Sequence, residues 1–301
     1  MKKHCCFPFW NWGFFGSFLV FNLALPFFAM VRFVCHQTSL QSFWQLACQP
    51  AAANAYSVTL LAAGGAAVCN TFFGSLVAWV LVRYNFPGRR LVDAAVDLPF
   101  SLPTSVAGLT LATVFGEKGW IGSWLSKLGV DVVFTRLGVF VAMVFVSFPF
   151  VVRTLQPVLE KLEMDVEEAA WCLGGTSWET FRNILFPPLM PAILNGMALA
   201  FSRAVGEYGS VVMVSSNIPY QDLVASVLIF QKLEQYDKAG ATAIGTVMVI
   251  ISLAVLFSLN LLQYWKQKTN RKHLTLSFCR SFFWNCLFLM VFDLSFCRSC
   301  R

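Results

Sequence analysis

Residues 160–191 have the sequence EKLEMDVEEAAWCLGGTSWETFRNILFPPLMP, a pattern that predicts two short helices. Asp165 and Thr176 are each followed, three residues later, by a glutamate, which is the spacing of a capping box at a helix N-terminus. Gly174 and Gly175 stand between the two boxes, and glycine commonly follows the last residue of a helix. We therefore expect a hinged pair of helices between the apolar runs on either side.

The first of these helices has an apolar stripe. Val166, Ala169, Ala170 and Leu173 follow the i, i+3, i+4, i+7 spacing of one helix face. The alanines would allow a partner's backbone to approach closely. The Pro187-Pro188 pair is expected to end the second helix and to admit the next apolar run. The segment thus predicts a rigid projection that fits a socket on another protein.

Outward from this segment the chain is strongly apolar. Of its 301 residues 57% are hydrophobic and 12% are charged, and the mean hydropathy is +0.66. Soluble domains carry about 25% charged residues, so these values indicate a membrane protein. Lipid offers no hydrogen-bond partners to the backbone, and continuous apolar runs therefore predict helices. The fold class is all-α and polytopic, with six transmembrane helices at Phe14–Val34, Tyr56–Val82, Val92–Phe115, Leu137–Leu155, Leu189–Val214 and Ala241–Tyr264.

The basic residues orient these spans. With a cytoplasmic N-terminus, twelve Lys and Arg residues fall on inside segments and six on outside segments, as the positive-inside rule requires. Residues 160–191 then form a cytoplasmic loop. The formal charge of +7 is explained by topology and by contact with anionic membrane lipid, and we expect no nucleic acid as a partner.

The loop resembles the EAA signature of ABC-importer permeases. Starting at Glu168, the chain has E-A-A, three residues, G, nine residues, I, one residue and then F-P. Phe186 stands where the family usually has leucine. The resemblance implies that the segment is a cytoplasmic coupling helix, which contacts a separate ATPase. The residues that it assigns to ATPase coupling are Glu168, Ala169, Ala170, Gly174, Ile184 and Pro187.

A wider resemblance, over roughly Tyr56–Lys268, is to the permeases of sulfate/thiosulfate importers, and among their two related subunits to the T-type. Ile229–Asp237 favours sulfate, and molybdate or tungstate permeases of the same class are the alternative. The implied partners are a sister permease subunit forming a heterodimer, two ATP-binding subunits and a periplasmic-type sulfate-binding protein. The segments that carry this resemblance are Arg83–Ala112, Ser147–Glu160, Ser202–Tyr220 and Leu223–Gln263.

Two groups of polar residues lie within predicted spans. Arg203 and Glu207 are four residues apart on one helix face, and charges inside a membrane usually face a cavity or a partner. They either line the anion pathway or form an ion pair that orients the helix, and the ion pair is favoured. Thr104 and Ser105 either line the pathway or bond back to carbonyls freed by the nearby prolines, and back-bonding is favoured.

The sequence contains no motif typical of an enzyme active site. The chain lacks a G-x-x-x-x-G-K-[ST] phosphate loop and a nucleophile elbow. We expect no catalytic residues, no cofactor and, with three histidines, no metal site. A transporter subunit without its own ATPase site is the prediction. A secondary anion transporter is the alternative of another class, but such a protein would not be expected to have the EAA loop.

We divide the chain into three parts. Residues 1–55 hold the first span and an outside loop, residues 56–268 form the permease transmembrane domain, and residues 269–301 are an extension in which LSFCRS occurs twice. The Phe-rich composition and irregular tail favour a plastid (chloroplast) inner membrane, with a bacterial plasma membrane as the alternative.

Overall fold

The computed structural model describes residues 40–162 and 164–269, with isolated positions between 21 and 32. These residues form helices and connecting turns without strands. Apart from those isolated positions, the predicted span Phe14–Val34 lies outside the described residues, as does nearly all of the extension 269–301. In chain order the helices are α1 Leu40–Ala47, α2 Pro50–Arg83, α3 Arg89–Val96, α4 Leu98–Ser101, α5 Thr104–Phe115, α6 Gly122–Lys127, α7 Arg136–Glu160, α8 Met164–Cys172, α9 Ser177–Thr180, α10 Phe186–Val205, α11 Gly209–Val214, α12 Ala225–Glu234 and α13 Lys238–Thr269.

Four helical stretches of the described chain are long and apolar enough to cross a membrane: Pro50–Arg83, Arg136–Glu160, Ser177–Val205 and Lys238–Leu261. They confirm four of the predicted spans in type and approximate place. The stretch from Ser177 includes the second loop helix, which continues into α10.

The predicted span Val92–Phe115 is not one continuous helix. It is divided into the end of α3, α4 and α5, and Leu102 between α4 and α5 has the extended angles φ −89° and ψ 136°. A residue that precedes proline is disfavoured from helical angles, and Leu102 precedes Pro103. The 12 residues of α5 extend about 18 Å, which is less than the ~30 Å of a hydrocarbon core.

The predicted span Leu189–Val214 is also divided. Helix α10 ends at Val205, and α11 begins at Gly209. Tyr208, just before α11, has φ −119° and ψ −52°. The charged residue Glu207 therefore lies in a break between two helices and not within a regular span.

The core is built where α2, α7 and α10 pack on one another. Small residues allow this close packing. A Cβ on Gly74 would lie 3.0 Å from the Val151 side chain, and a Cβ on Gly196 would lie 3.1 Å from the Val151 backbone. Asn70 adds a polar contact, since its Nδ2 donates to Val144 O (3.0 Å) and to Ser147 Oγ (2.8 Å).

Helices α5 and α11 form a second close contact. A Cβ on Gly108 would lie 2.5 Å from Ser210 O and 2.7 Å from Ser210 Cα. A Cβ on Gly209 would collide with Thr104 Oγ1. Glycine on both helices thus allows two backbones to touch beside the break that holds Glu207, as in other membrane helix pairs with small residues.

Candidate functional site

The cytoplasmic loop has a defined turn between its two helices. Gly174 has φ +82°, a left-handed conformation that glycine adopts without steric cost. Its N–H donates to Trp171 O, and the Gly175 N–H donates to Ala170 O, both at 3.0 Å. This is the Schellman arrangement of a helix C-terminus, and it confirms that the glycines end the first helix.

The second helix begins with the predicted capping box. The Glu179 N–H donates to Thr176 Oγ1 at 3.3 Å, and the Thr176 N–H donates to Glu179 Oε2 at 3.0 Å. The box predicted at Asp165 is wrong, because α8 already begins at Met164 and Asp165 lies in its first helical turn. There the carboxylate still interacts favourably with the positive end of the helix dipole.

The prediction that Pro187 and Pro188 end the second helix is also wrong. Residues Phe181–Leu185 form a π turn that continues into α10, and the Phe186 N–H donates to Phe181 O five residues back. The prolines lie in the first turn of α10 and do not interrupt the helical stretch, which runs from Ser177 to Val205. The loop and the span are therefore one continuous helical stretch.

The assigned coupling residues differ in their exposure. Glu168, Ala169 and Gly174 are exposed, and Ile184 and Pro187 are half-buried. Ala170 is only 8% exposed, so of the two alanines Ala169 alone is open to a partner. Several apolar side chains around Glu168 are exposed, and we call this set of residues the loop face: Met164, Val166, Ala169, Trp171, Leu173 and Trp178.

A contact between α8 and α2 fixes the orientation of the loop. Glu167 forms an ion pair with Arg83, the last residue of α2, and the side chains are 14% and 8% exposed. The Arg83 guanidinium lies 5.4 Å from the centroid of the Trp79 ring. Sequence analysis missed this pair, because 84 residues separate its members and no local pattern joins them.

The charges of the predicted fifth span form a buried cluster. Arg203 Nη1 lies 2.5 Å from Glu207 Oε2, and the two side chains are 6% and 2% exposed. Glu207 Oε1 accepts from the N–H (3.0 Å) and from the hydroxyl (2.9 Å) of Ser210, and its carbonyl accepts from Ser226 Oγ at 2.8 Å. The cluster thus joins the end of α10 to the beginnings of α11 and α12. Whether the pair lines the pathway stays a prediction.

Thr104 and Ser105 lie in the first turn of α5. Thr104 is half-buried against Gly209, and Ser105 is exposed. The hydroxyls of Ser101 and Thr110 donate to carbonyls four residues back, whereas the sequence predicts such bonds for Thr104 and Ser105. No such bond joins Thr104 or Ser105 to another described residue.

A second charged cluster, also missed by sequence analysis, joins α7 to α3 and α4. Arg153 donates to both carboxylate oxygens of Asp97 (2.8 and 2.6 Å) and to Asp93 Oδ1 (2.7 Å). Gln156 bridges the same groups, donating to Asp93 Oδ1 at 3.1 Å. Arg153 is 31% exposed and the two aspartates are 45% exposed. The cluster therefore lies at a partly exposed edge and joins α7 to the divided third span.

Another buried carboxylate lies on the side of the protein that the basic residues predict to be outside. Asp222, between α11 and α12, is 1% exposed and accepts from the Ser216 N–H (2.6 Å) and hydroxyl (2.5 Å). Arg136 at the start of α7 donates to Tyr220 O at 3.1 Å. These bonds shape the loop between α11 and α12.

The following outer turn is held in a similar way. The Gly240 N–H and the Lys232 ammonium bind Asp237 at 2.9 and 3.1 Å. Both bonds hold the pKa of Asp237 below its usual value. The carboxylate thereby stabilises the beginning of α13.

Comparison with known proteins decides the family. The family model described as "Binding-protein-dependent transport system inner membrane component" matches residues 70–272. The chain is also 60% identical over 265 residues to the probable sulfate transport system permease protein cysT of Nephroselmis olivacea, covering 88% of this chain and 92% of that protein. The chain belongs to this transport family, and within it to the sulfate permeases. It is 53% identical over 267 residues to the sulfate transport system permease protein CysT of Synechocystis sp., covering 87% of this chain and 93% of that protein.

Solved structures confirm the fold of this sulfate permease family member. A bacterial alginate ABC transporter in complex with an alginate pentasaccharide-bound periplasmic protein aligns with a TM-score of 0.70 at 17% identity, covering 88% of this chain and 97% of that chain. The MetNI methionine ABC transporter aligns with a TM-score of 0.55 at 17% identity, covering 76% of this chain and 100% of that chain. The all-α, polytopic ABC permease fold predicted from the sequence is thus confirmed.

Proposed function

We propose that this chain is the T-type permease subunit of an ATP-driven sulfate importer, in which the loop face docks onto a separate ATP-binding subunit. The observation that carries the proposal is the loop itself. It exposes several large apolar side chains, with Leu173 89% exposed, on two helices that are held rigidly by a Schellman turn and a capping box. Isolated exposed apolar residues are common, but several of them close together on two short helices favour an interaction site.

The proposed assembly is a heterodimer with a sister permease, two ATP-binding subunits and a periplasmic-type sulfate-binding protein. ATP binding would draw the ATP-binding subunits together and move the loop face, and the core helices would follow because α9 continues into α10. The sulfate-binding protein would dock at the opposite end, near the loop that Asp222 shapes. The similarity to sulfate permeases supports sulfate as the anion.

The chain supplies no phosphate-binding loop in this proposal, so the partner subunit carries out ATP hydrolysis. The relatives in Nephroselmis olivacea and Synechocystis sp. support a plastid inner membrane, with a bacterial plasma membrane as the alternative. The cytoplasmic loop would then face the stroma.

The test is complementation. The chain would replace CysT in a Synechocystis strain that lacks its own, and uptake of labelled sulfate would be measured with and without excess molybdate. We expect the chain to restore sulfate uptake, with little competition by molybdate. No uptake despite normal membrane abundance would contradict the proposal, and uptake of labelled molybdate in place of sulfate would favour the molybdate permease.

A charge-reversal pair tests the dock. Glu168→Arg places a cation in the exposed face of α8 and should abolish uptake without lowering membrane abundance. Glu117→Arg makes the same change at an exposed position after α5 on the outer side and should leave uptake intact. Equal uptake by the two variants would contradict the proposal that the loop face docks onto the ATP-binding subunit.

A further inference from the structure

The cytoplasmic loop touches a span to which it is not directly connected along the chain. Helix α8 follows α7 and leads through α9 into α10, so a movement of the loop reaches those two spans through the backbone. Helix α2 precedes the loop by 80 residues, yet it packs on both α7 and α10 in the core. A movement that did not reach α2 would have to shear these contacts.

Consecutive residues of α8 point in two directions. Glu167 is turned toward the body of the protein and pairs with Arg83, whereas Glu168 is exposed. Neighbouring residues on an α-helix are separated by about 100°, so one short helix presents one carboxylate to its own span and the next to the outside. The two glutamates can therefore have different partners.

Aromatic rings hold the end of α2 from a second side. Trp79 meets Phe181 of the π turn edge-on, with 6.0 Å between ring centroids. Phe181 in turn stacks on Trp178 of the loop face at 5.9 Å. Together with the ion pair, these contacts attach the last turn of α2 both to α8 and to the start of the stretch that leads into α10.

We propose that Arg83 and Glu167 are positioning residues that transmit movement of the loop face to α2, so that α2, α7 and α10 move as one unit. The pair is largely buried, and a buried ion pair resists separation because each charge would lose its partner in a medium of low polarity. This inference rests on the proposed function, since it concerns transport driven by a partner ATPase. Without the pair, the loop would move while α2 lagged behind.

The test uses charge reversal and exchange in the complete transporter. Arg83→Glu and Glu167→Arg each place like charges together, and the double variant restores an ion pair with the charges exchanged. Purified complexes in lipid vesicles would be assayed for ATP hydrolysis and for sulfate uptake with saturated sulfate-binding protein. We expect each single variant to lower the sulfate transported per ATP hydrolysed by about fivefold or more, the lower end of typical coupling between sites. The double variant should recover most of this ratio.

Arg90→Glu is the matched control, because Arg90 is exposed on the neighbouring helix α3, and it should leave the ratio unchanged. If the reversals do not accumulate in the membrane, Glu167→Gln, which keeps the size and removes the charge, should lower the ratio while abundance stays normal. An unchanged ratio in Glu167→Gln, or in both reversals, would overturn the inference. Uptake by the unaltered chain tests the proposed function separately, so the two failures are distinguishable.

Discussion

Two charged clusters of this chain lie in different surroundings. Arg203 and Glu207 are almost completely buried and pair within one stretch of chain. Arg153 and its aspartates are partly exposed and join α7 to the junction of α3 and α4, more than 50 residues earlier in the chain. The first cluster holds a break in a single span, whereas the second determines where a divided span lies against the core.

The difference shows that the burial of a charged cluster and the sequence distance that it bridges have separate effects on the protein. Removing one member of a buried pair leaves a charge without its partner and typically costs ~3–5 kcal/mol. Exposed pairs contribute about 0–1 kcal/mol because water screens them. The interior cluster should therefore dominate stability, and the edge cluster should matter for the position of α3 and α4.

The largest effect is expected for Glu207→Ala. It removes the carboxylate that binds Arg203 and Ser210, and we expect the free energy of unfolding to fall by about 3–5 kcal/mol. Unfolding of the purified protein in detergent micelles would measure it. Glu234→Ala, at an exposed position on α12, is the control and should change stability by less than about 0.5 kcal/mol. Equal stability of both variants would contradict the importance of the interior cluster.

An intermediate effect is expected for Gly108→Ala, which tests whether packing also supports the interior cluster. The new Cβ would lie 2.5 Å from Ser210 O, and overpacking of this kind costs about 1–3 kcal/mol. Gly64→Ala is the matched control, because nothing lies within 4 Å of the Cβ it would add. If the two alanine variants unfold alike, the contact between α5 and α11 is looser than described.

The smallest effect is expected for Arg153→Gln. Several charge-assisted bonds are lost, but at a partly exposed edge, so the loss should be about 1–2 kcal/mol. Screening by salt should reduce it further, since the Debye length is only ~3 Å at 1 M. The effect of Glu207→Ala should not depend on salt. Unfolding at low and high salt checks this, and a salt-independent effect at Arg153 would place that cluster with the interior one.

The local features of the loop could be predicted because they depend on neighbouring residues. Gly174 and the capping box of Thr176 act over three or four positions, so the sequence pattern contains them. The same pattern located the apolar stripe of α8 but not the direction that it faces, and Ala170 is turned inward.

Other features depend on tertiary contacts or on combined local effects. Arg153 lies 56 residues from Asp97, and no periodicity connects them. The break before α5 did have a local signal, because Leu102 precedes Pro103 and a residue before proline is disfavoured from helical angles. Charged residues near prolines in an apolar run would have been the clue to a partner on another helix.

The π turn at Phe181–Leu185 also has a geometric consequence. A π turn holds one residue more than an α-helical turn, and each residue of an α-helix advances the chain by about 100° around its axis. The number of residues in this turn therefore determines the angle by which the cytoplasmic helices are rotated about the axis of α10. Deleting one residue there would rotate the loop face by about a quarter of a revolution while α10 kept its contacts in the core. In such a chain the cytoplasmic surface could contact a different partner while the packing of the core helices stayed the same.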